Sequence, residues 1–436
     1  MTTVLIGVDV GTTRVKAVAL DPALVVLGDH AVATPWRHEG PRADVDPLAV
    51  AAAVTEAAAG AARAAGGRAL AVGVTGMSET GVLLDRRGVP LTRALAWHDP
   101  RSDCPAVRAQ LGEAAYRSTA GRPIDPVSSL PKLLWLYRHA PHARRAVRFL
   151  SLPEWTVHAL GGEQVNELSL VSRTGLFDVP AKRPWVAALD MLGATPSFLG
   201  EIVAAGQPVG HVADDAPAEL RGAVLTVAGH DHQTASYALS AAVPGVLLDS
   251  LGTAEGLLRT VPAPLAPEAV DRLAIDNIST GWGVVPGHLC LLAGVPTGIT
   301  LERVGTLVGA PTPAARTDLG RRALGTDRSA TAMRIRATYQ ALTLHDVDDD
   351  ADPALTWRVA VEDLTADSAR LVATIAAEVG EHREVVLAGG WLHNPMVRAE
   401  KERQYGDFRT SDLAEPGAVG AAEMAGIAAG VIAPRW

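Results

Sequence analysis

Val4-Leu5-Ile6-Gly7-Val8-Asp9-Val10-Gly11-Thr12-Thr13-Arg14-Val15-Lys16-Ala17-Val18-Ala19-Leu20 is two apolar, β-branched runs separated by Gly-Thr-Thr. Residues 4–10 read as one strand, 11–13 as a tight turn and 14–20 as a second strand. Asp21-Pro22 then turns the chain into a third strand, 25–33. Outward from this meander, Asp46-Pro47 is a helix N-cap and first-turn pair opening an alanine-rich helix over 49–65 that ends at Gly66-Gly67. A strand over 70–75 follows, then Gly76 to Gly81 and a strand pair at 82–85 and 95–97. The pattern is mixed α/β.

Further along, helical spacing appears over 130–140, 143–150 and 185–192, and a buried strand over 223–227 stops at Gly229 before a helix over 233–239. His230-Asp231-His232 therefore falls at a strand-to-helix corner. The opening unit then recurs half a chain later: 246–260 reads strand, Ser250-Leu251-Gly252-Thr253, strand. That echo implies either two related domains, 1–240 and 241–436, with the boundary near residues 238–246 around Pro244-Gly245, or two unrelated hairpins that both use Gly-Thr. Residues 343–353 read as a solvated linker, because the acidic run Asp346 to Asp352 lacks the glycine and closing glutamate of a calcium loop.

The chain has 436 residues, 48% hydrophobic and 20% charged, enough for two cores and outside the disordered range. A net charge of −9 without a basic stripe argues against nucleic acid. Cys104 and Cys290 stand far apart in no metal-type spacing, as buried thiols of a reducing compartment would. No basic-then-apolar leader opens the sequence, and its most apolar stretch carries Glu56 and Arg63, so a soluble, cytoplasmic protein is expected.

Asp9-Val10-Gly11-Thr12-Thr13 sets a carboxylate beside backbone N–H groups and hydroxyls at a turn where glycine permits close approach, a cradle for phosphate. A carboxylate there repels phosphate unless a divalent cation intervenes, which points Asp9 to Mg²⁺. Gly252 and Thr253 form a matching cradle, Val385 to Gly390 is a buried strand ending in two glycines, and Pro416 to Ala422 opens a small-residue helix with room for a flat ring. Asp231 reads as a general base or as a helix cap. His230 and His232 point away from it on an extended chain, against a metal site. Ser78, Glu79, Trp97, Asp99 and Arg101 are acceptor-binding candidates, since carboxylates and guanidinium bind hydroxyl pairs and an indole covers a carbon chain.

These segments, with Gly73-Val74-Thr75-Gly76, Trp97-His98-Asp99-Pro100-Arg101, Ser172-Arg173-Thr174-Gly175-Leu176-Phe177-Asp178 and Ala228-Gly229-His230-Asp231, resemble the FGGY carbohydrate kinases. The resemblance covers residues 4–260 and 385–430. It implies the two-domain actin/hexokinase/Hsp70-like ATPase fold, duplicated ribonuclease H-like domains around an interdomain cleft, with the sugar on the first domain and ATP on the second. It also implies Asp231 as base, Asp9 at the metal, Thr12, Thr13 and Gly11 in the first phosphate loop, Gly252 and Thr253 in the second. Gly389, Gly390 and Asn394 would then lie along the adenosine. The expected activity is ATP- and Mg²⁺-dependent phosphorylation of a small sugar or polyol, a pentulose such as xylulose first, then a hexulose, polyol or gluconate. A sugar or nucleotide sensor and an ATPase of the same superfamily are the alternatives, and a homodimer is left open. Arg14, Trp391 and a short 260–385 segment depart from the family pattern.

Overall fold

The computed structural model describes residues 2–339, 341–347 and 350–436. Among the described residues, strands β1 (Thr2–Val10), β2 (Arg14–Leu20), β3 (Val26–Ala33), β4 (Gly67–Gly76), β5 (Pro208–His211) and β6 (Val224–His230) form one sheet in the order β5-β6-β4-β1-β2-β3. β1, β2 and β3 are an antiparallel meander, whereas β1, β4 and β6 run parallel. A second sheet has the order β9-β10-β8-β7-β11-β12, from β7 (Val246–Leu251), β8 (Glu255–Pro262), β9 (Ser279–Trp282), β10 (His288–Val295), β11 (Glu384–Ala388) and β12 (Arg409–Ser411). It repeats the plan: β7 pairs antiparallel with β8, and β8 with β10, while β7, β11 and β12 are parallel. The first sheet's strands all precede residue 240 and the second's all follow it.

Helix α1 (Pro47–Ala64) covers one face of the first sheet, capped by Asp46, whose side chain accepts the Leu48 N–H. Its buried positions are mostly alanine and valine, which suit close helix-on-sheet packing. The other face is covered from the far end of the chain by α5 (Pro416–Ala428), which lies against β1, β4 and helix α2 (Asp231–Ala238). A methyl added at Gly7 would stand 1.9 Å from the Ala418 carbonyl, and one at Gly73 2.1 Å from that of Ala421. The small residues of 416–422 thus bring two backbones together. β9, the edge of the second sheet, also reaches back: Thr280 N–H donates to the Gly121 carbonyl (2.7 Å) and the Trp282 indole to that of Val179 (2.9 Å).

Local differences from the sequence reading have local causes. Residues 81–84 pair with Arg148–Ser151 and Ala94–Leu95 with Asp44–Val45, so 82–85 and 95–97 are not partners. Residues 143–150 hold a 3₁₀ turn and that partner strand in place of a helix, because Phe149 and Leu150 are drawn into the core as alternate faces of a strand. The segment 343–353 contains the end of a strand, Leu342–His345, and the Asp352 cap of a 27-residue helix, α3 (Pro353–Val379); Asp348 and Asp349 of the acidic run lie outside the described residues.

Candidate active site

Parallel neighbours β1, β4 and β6 end together, with Asp9 paired to Thr75 and Thr75 to Gly229. Asp9 and Asp231 are thereby set at the same end of the sheet on either side of β4, whose Thr75 hydroxyl donates to the Gly229 carbonyl (2.6 Å) and ties β4 to β6. Asp231 is the first residue of α2, and its Oδ1 accepts the His232 N–H at 2.6 Å, so the helix cap position belongs to His230. Burial works against the charge of Asp231, but His230, His232 and that N–H outweigh it and hold the carboxyl below its ordinary range. Burial also pushes the His230 ring down to about 4, so its 3.3 Å approach to Asp231 is made by a neutral imidazole and is not an ion pair at neutral pH.

Asp9 is pushed the other way, to about 7, first by burial and then by Asp231, against the pull of Lys16. Its Oδ1 is a buried acceptor with no hydrogen-bond partner among the described residues. Two carboxylates at one end of the sheet, with one oxygen left unpaired, is a donor set a hard divalent cation completes, so Mg²⁺ fits here. Among the described residues no cluster of three or more His, Cys, Asp or Glu forms a cage, in keeping with a cation that keeps waters and phosphate oxygens. Helix α5 begins beside it: Gly417 lies so near that a methyl would sit 2.7 Å from Asp9 Oδ2, and Glu415 pairs with Lys16 at 2.7 Å.

The two Gly-Thr turns are both exposed. In the first, the Thr34 hydroxyl donates to the Gly11 carbonyl (2.8 Å), the Trp36 indole to the Thr12 carbonyl (2.6 Å), and the Trp97 indole to the Thr12 hydroxyl (3.1 Å). In the second, Gly389 packs on Leu251, the residue before Gly252, because β7 and β11 are parallel neighbours: a methyl at Gly389, whose φ is +106°, would lie 2.4 Å from the Leu251 carbonyl. Only glycine fits that left-handed, crowded position. Gly390 faces open space, and beside it the Trp391 indole packs against Gly298 and under the Arg316 guanidinium. Asn394 is buried and spent on structure: its Oδ1 caps α4 (Pro395–Tyr405) and its Nδ2 donates to the Arg316 carbonyl (2.8 Å). Arg14 reaches the Ala31 carbonyl on the neighbouring strand.

The acceptor candidates divide. Ser78 and Glu79 are buried in the turn after β4, and Glu79 adds to the electrostatic field at Asp231. Burial opposes the Glu79 charge, but Arg173 (2.8 Å) and Arg122 (3.0 Å) dominate and keep it ionised. Trp97 closes onto the first phosphate turn. Asp99 and Arg101 face elsewhere: Asp99 accepts the Ala43 N–H (2.7 Å) and the Arg101 guanidinium (2.7 Å), and Arg101 also holds Asp44 (3.0 Å). They pin the loop 97–101 to the strand Arg42–Val45. Arg122 and Arg173 are the residues the sequence reading left out. A carboxylate in a turn flanked by apolar strands needs a cation, and that requirement was the available signal.

Two duplicated sheets of this topology, each carrying a glycine turn at its strand ends, define the actin/hexokinase-like ATPase fold. Residues 4–238 match the FGGY family of carbohydrate kinases, N-terminal domain, and the chain belongs to that family. It is 35% identical over 243 residues to a glycerol kinase of Leptothrix cholodnii, which takes in 49% of this chain and 48% of that enzyme. The matched region thus spans about half the length of that relative. Over the whole fold it superposes on a xylulose kinase from Rhodospirillum rubrum (TM-score 0.86, 20% identity, 98% of this chain and 90% of that one). A gluconate kinase from Lactobacillus acidophilus gives a TM-score of 0.88 at 17% identity, over 99% of this chain and 90% of that one. Among the described residues no helix is long and apolar enough to cross a membrane.

Proposed function

We propose that the protein transfers the terminal phosphoryl group of ATP to a hydroxyl of a small neutral polyhydroxy compound. The observation that carries this reading is the pair Asp9 and Asp231 at one end of the parallel strands flanking β4, close enough for Asp231 to raise the Asp9 carboxyl, with one Asp9 oxygen unpaired. Asp231, ionised at neutral pH, accepts the hydroxyl proton at a carboxylate oxygen as the new bond forms. The N–H of His232 fixes that carboxylate's rotamer. Asp9 holds Mg²⁺, which supplies charge neutralisation on the phosphates. Gly11 to Thr13 and Gly252 with Thr253 offer N–H and hydroxyl donors to phosphate oxygens, and Gly389 with Gly390 leaves space for the base.

Charge balance supports a neutral acceptor. Glu79 is matched by Arg173 and by Arg122, and Arg122 also faces Asp125 at 3.4 Å, which leaves no surplus cation in this cluster for an acid group beside Asp231. Glycerol and xylulose therefore suit the site better than gluconate, and Glu79 accepts hydrogen bonds from acceptor hydroxyls. The test is ADP release by the purified chain with Mg²⁺-ATP alone and with glycerol, xylulose or gluconate. Release stimulated at least about 10-fold by a neutral acceptor is expected. Equal release with and without every acceptor overturns the kinase reading, and gluconate as the best acceptor overturns the charge argument.

A further inference from the structure

A cavity of about 370 Å³ opens on the first half of the molecule, lined by Arg37, Arg93, Arg101, Asp44, His142 and an apolar floor that includes Leu95 and Leu136. Asp44 is 4% exposed and is the shared acceptor: Arg37 donates to it through Nε (3.0 Å) and Nη2 (2.9 Å), Arg101 through Nη2 (3.0 Å), and Arg93 through Nε. Arg101 is also matched by Asp99. Three guanidiniums thus meet two carboxylates, and among the described residues the Nη1 groups of Arg37, Arg93 and Arg101 have no protein acceptor. Three guanidiniums, only partly matched by carboxylates, and an apolar wall line one small concave space.

We propose that this cavity is a second ligand site, separate from the cleft, which takes a small phosphate-bearing molecule. Planar guanidinium forks pair with phosphate oxygens, and an anionic phosphate group answers the positive charge left after Asp44 and Asp99. The volume lies at the low end for ligand pockets, which limits the occupant to a compact phosphate monoester whose carbon chain lies on Leu95 and Leu136. The site is mechanically joined to the cleft. Asp99 carries Arg101 on one side and, through its carbonyl, the buried Lys132 ammonium (2.6 Å) on the other, and Trp97 two residues earlier bonds Thr12 of the phosphate turn.

The experiment is isothermal titration of the full chain, its cleft kept occupied by saturating Mg²⁺-ADP and glycerol, with glycerol 3-phosphate, inorganic phosphate and citrate, repeated in Arg37→Gln/Arg93→Gln, in Arg37→Gln alone, and in the cleft variants Gly252→Val and Gly252→Ala. The double variant keeps the Asp44–Arg101 pair, and Arg37 is largely exposed, so the single variant stays folded if the double does not. Glycerol 3-phosphate should bind the wild type and both cleft variants alike, and at least about 10-fold more weakly in the double variant, with a smaller loss in Arg37→Gln. Unchanged affinity in the arginine variants, or loss of it in the cleft variants, overturns the site. Citrate binding tighter than either phosphate overturns the phosphate class.

Discussion

The two Gly-Thr turns stand at equivalent places in the two sheets, one after β1 and one after β7, yet carry different chemistry. At the first, acids reach the strand ends: Asp9 on β1 and Asp231 after β6. At the second, the strand ends carry glycine, and the nearby acids Asp249 and Glu255 are withdrawn into the sheet, where the buried Lys401 ammonium holds them at 2.8 and 2.6 Å. One scaffold thus supplies a reactive end and a backbone cradle. On the proposed reading, Lys401 offsets acidic charge that would repel phosphate from the second turn.

The sharpest way to break this contrast is at the reactive end. Asp231→Asn keeps shape and the His232 contact but cannot accept a proton, so turnover should fall by about 10²- to 10⁴-fold while nucleotide affinity changes little. Turnover within a few-fold of the wild type would remove Asp231 from the chemistry. At the cradle end the largest effect belongs to Lys401→Met, which leaves two buried carboxylates without a cation and should cost about 3–5 kcal/mol of folding stability by denaturant titration at pH 7.

Lys401 also gives that end a pH signature. One ammonium neutralises one of two carboxylates, so the other keeps a proton, and burial and then Glu255 push Asp249 up to about 7. The folded state retains a proton that the unfolded chain gives up between about pH 4 and pH 7, and this part of the stability is full at the acid end and declines as pH rises through that window. In Lys401→Met the charge that pulls Asp249 down is gone and Asp249 takes its proton more readily, so the penalty at pH 5 should be smaller than at pH 8. An equal penalty at both pH values would mean that Asp249 and Glu255 are not coupled through Lys401.

The turns themselves were legible because glycine between β-branched runs is a local signal, and Gly11 and Gly252 announce it in one chain twice. The parallel strand Glu384–Ala388 was legible for the same reason. What was not legible depended on contacts across the chain. The small residues of α5 read as space for a ring, whereas Gly7 and Gly73 use them for backbone contact from more than 300 residues away. Asp99 and Arg101 had the right chemistry for an acceptor, but residue type does not say which way the loop faces, and the buried N–H of Ala43 claims Asp99. Arg122 and Arg173 were silent because nothing local to either one marks it as the partner of Glu79.

Next in size is Glu79→Ala. It removes hydroxyl acceptors and leaves Arg122 and Arg173 without their shared carboxylate, so kcat/KM for the best acceptor should drop by roughly 10- to 10³-fold, about 1.4 to 4 kcal/mol. Arg122 keeps Asp125, but the cluster is left with one unmatched cation, so the variant should also shift preference toward an anionic acceptor such as gluconate, a change that lost packing alone does not produce. A preserved acceptor ranking with full efficiency would place Glu79 outside the acceptor pocket.

The smallest expected effect compares two glycines that sequence alone would treat alike. At Gly252 an added side chain would meet only the Ala254 carbonyl at 3.5 Å, an ordinary contact, so the fold has room for it. At Gly7 the same addition would drive a carbon to 1.9 Å from the Ala418 carbonyl, where neither β1 nor α5 can yield without separating. Gly252→Val should therefore melt like the wild type and bind Mg²⁺-ATP about 10-fold more weakly, close to 1.4 kcal/mol, because the branched side chain stands where phosphate oxygens approach the backbone. Gly7→Val should do the reverse, losing stability by several kcal/mol while whatever remains folded binds nucleotide normally. If Gly252→Val binds Mg²⁺-ATP as tightly as the wild type, the second turn is a plain hairpin and the cradle must be sought elsewhere along β7 and β11.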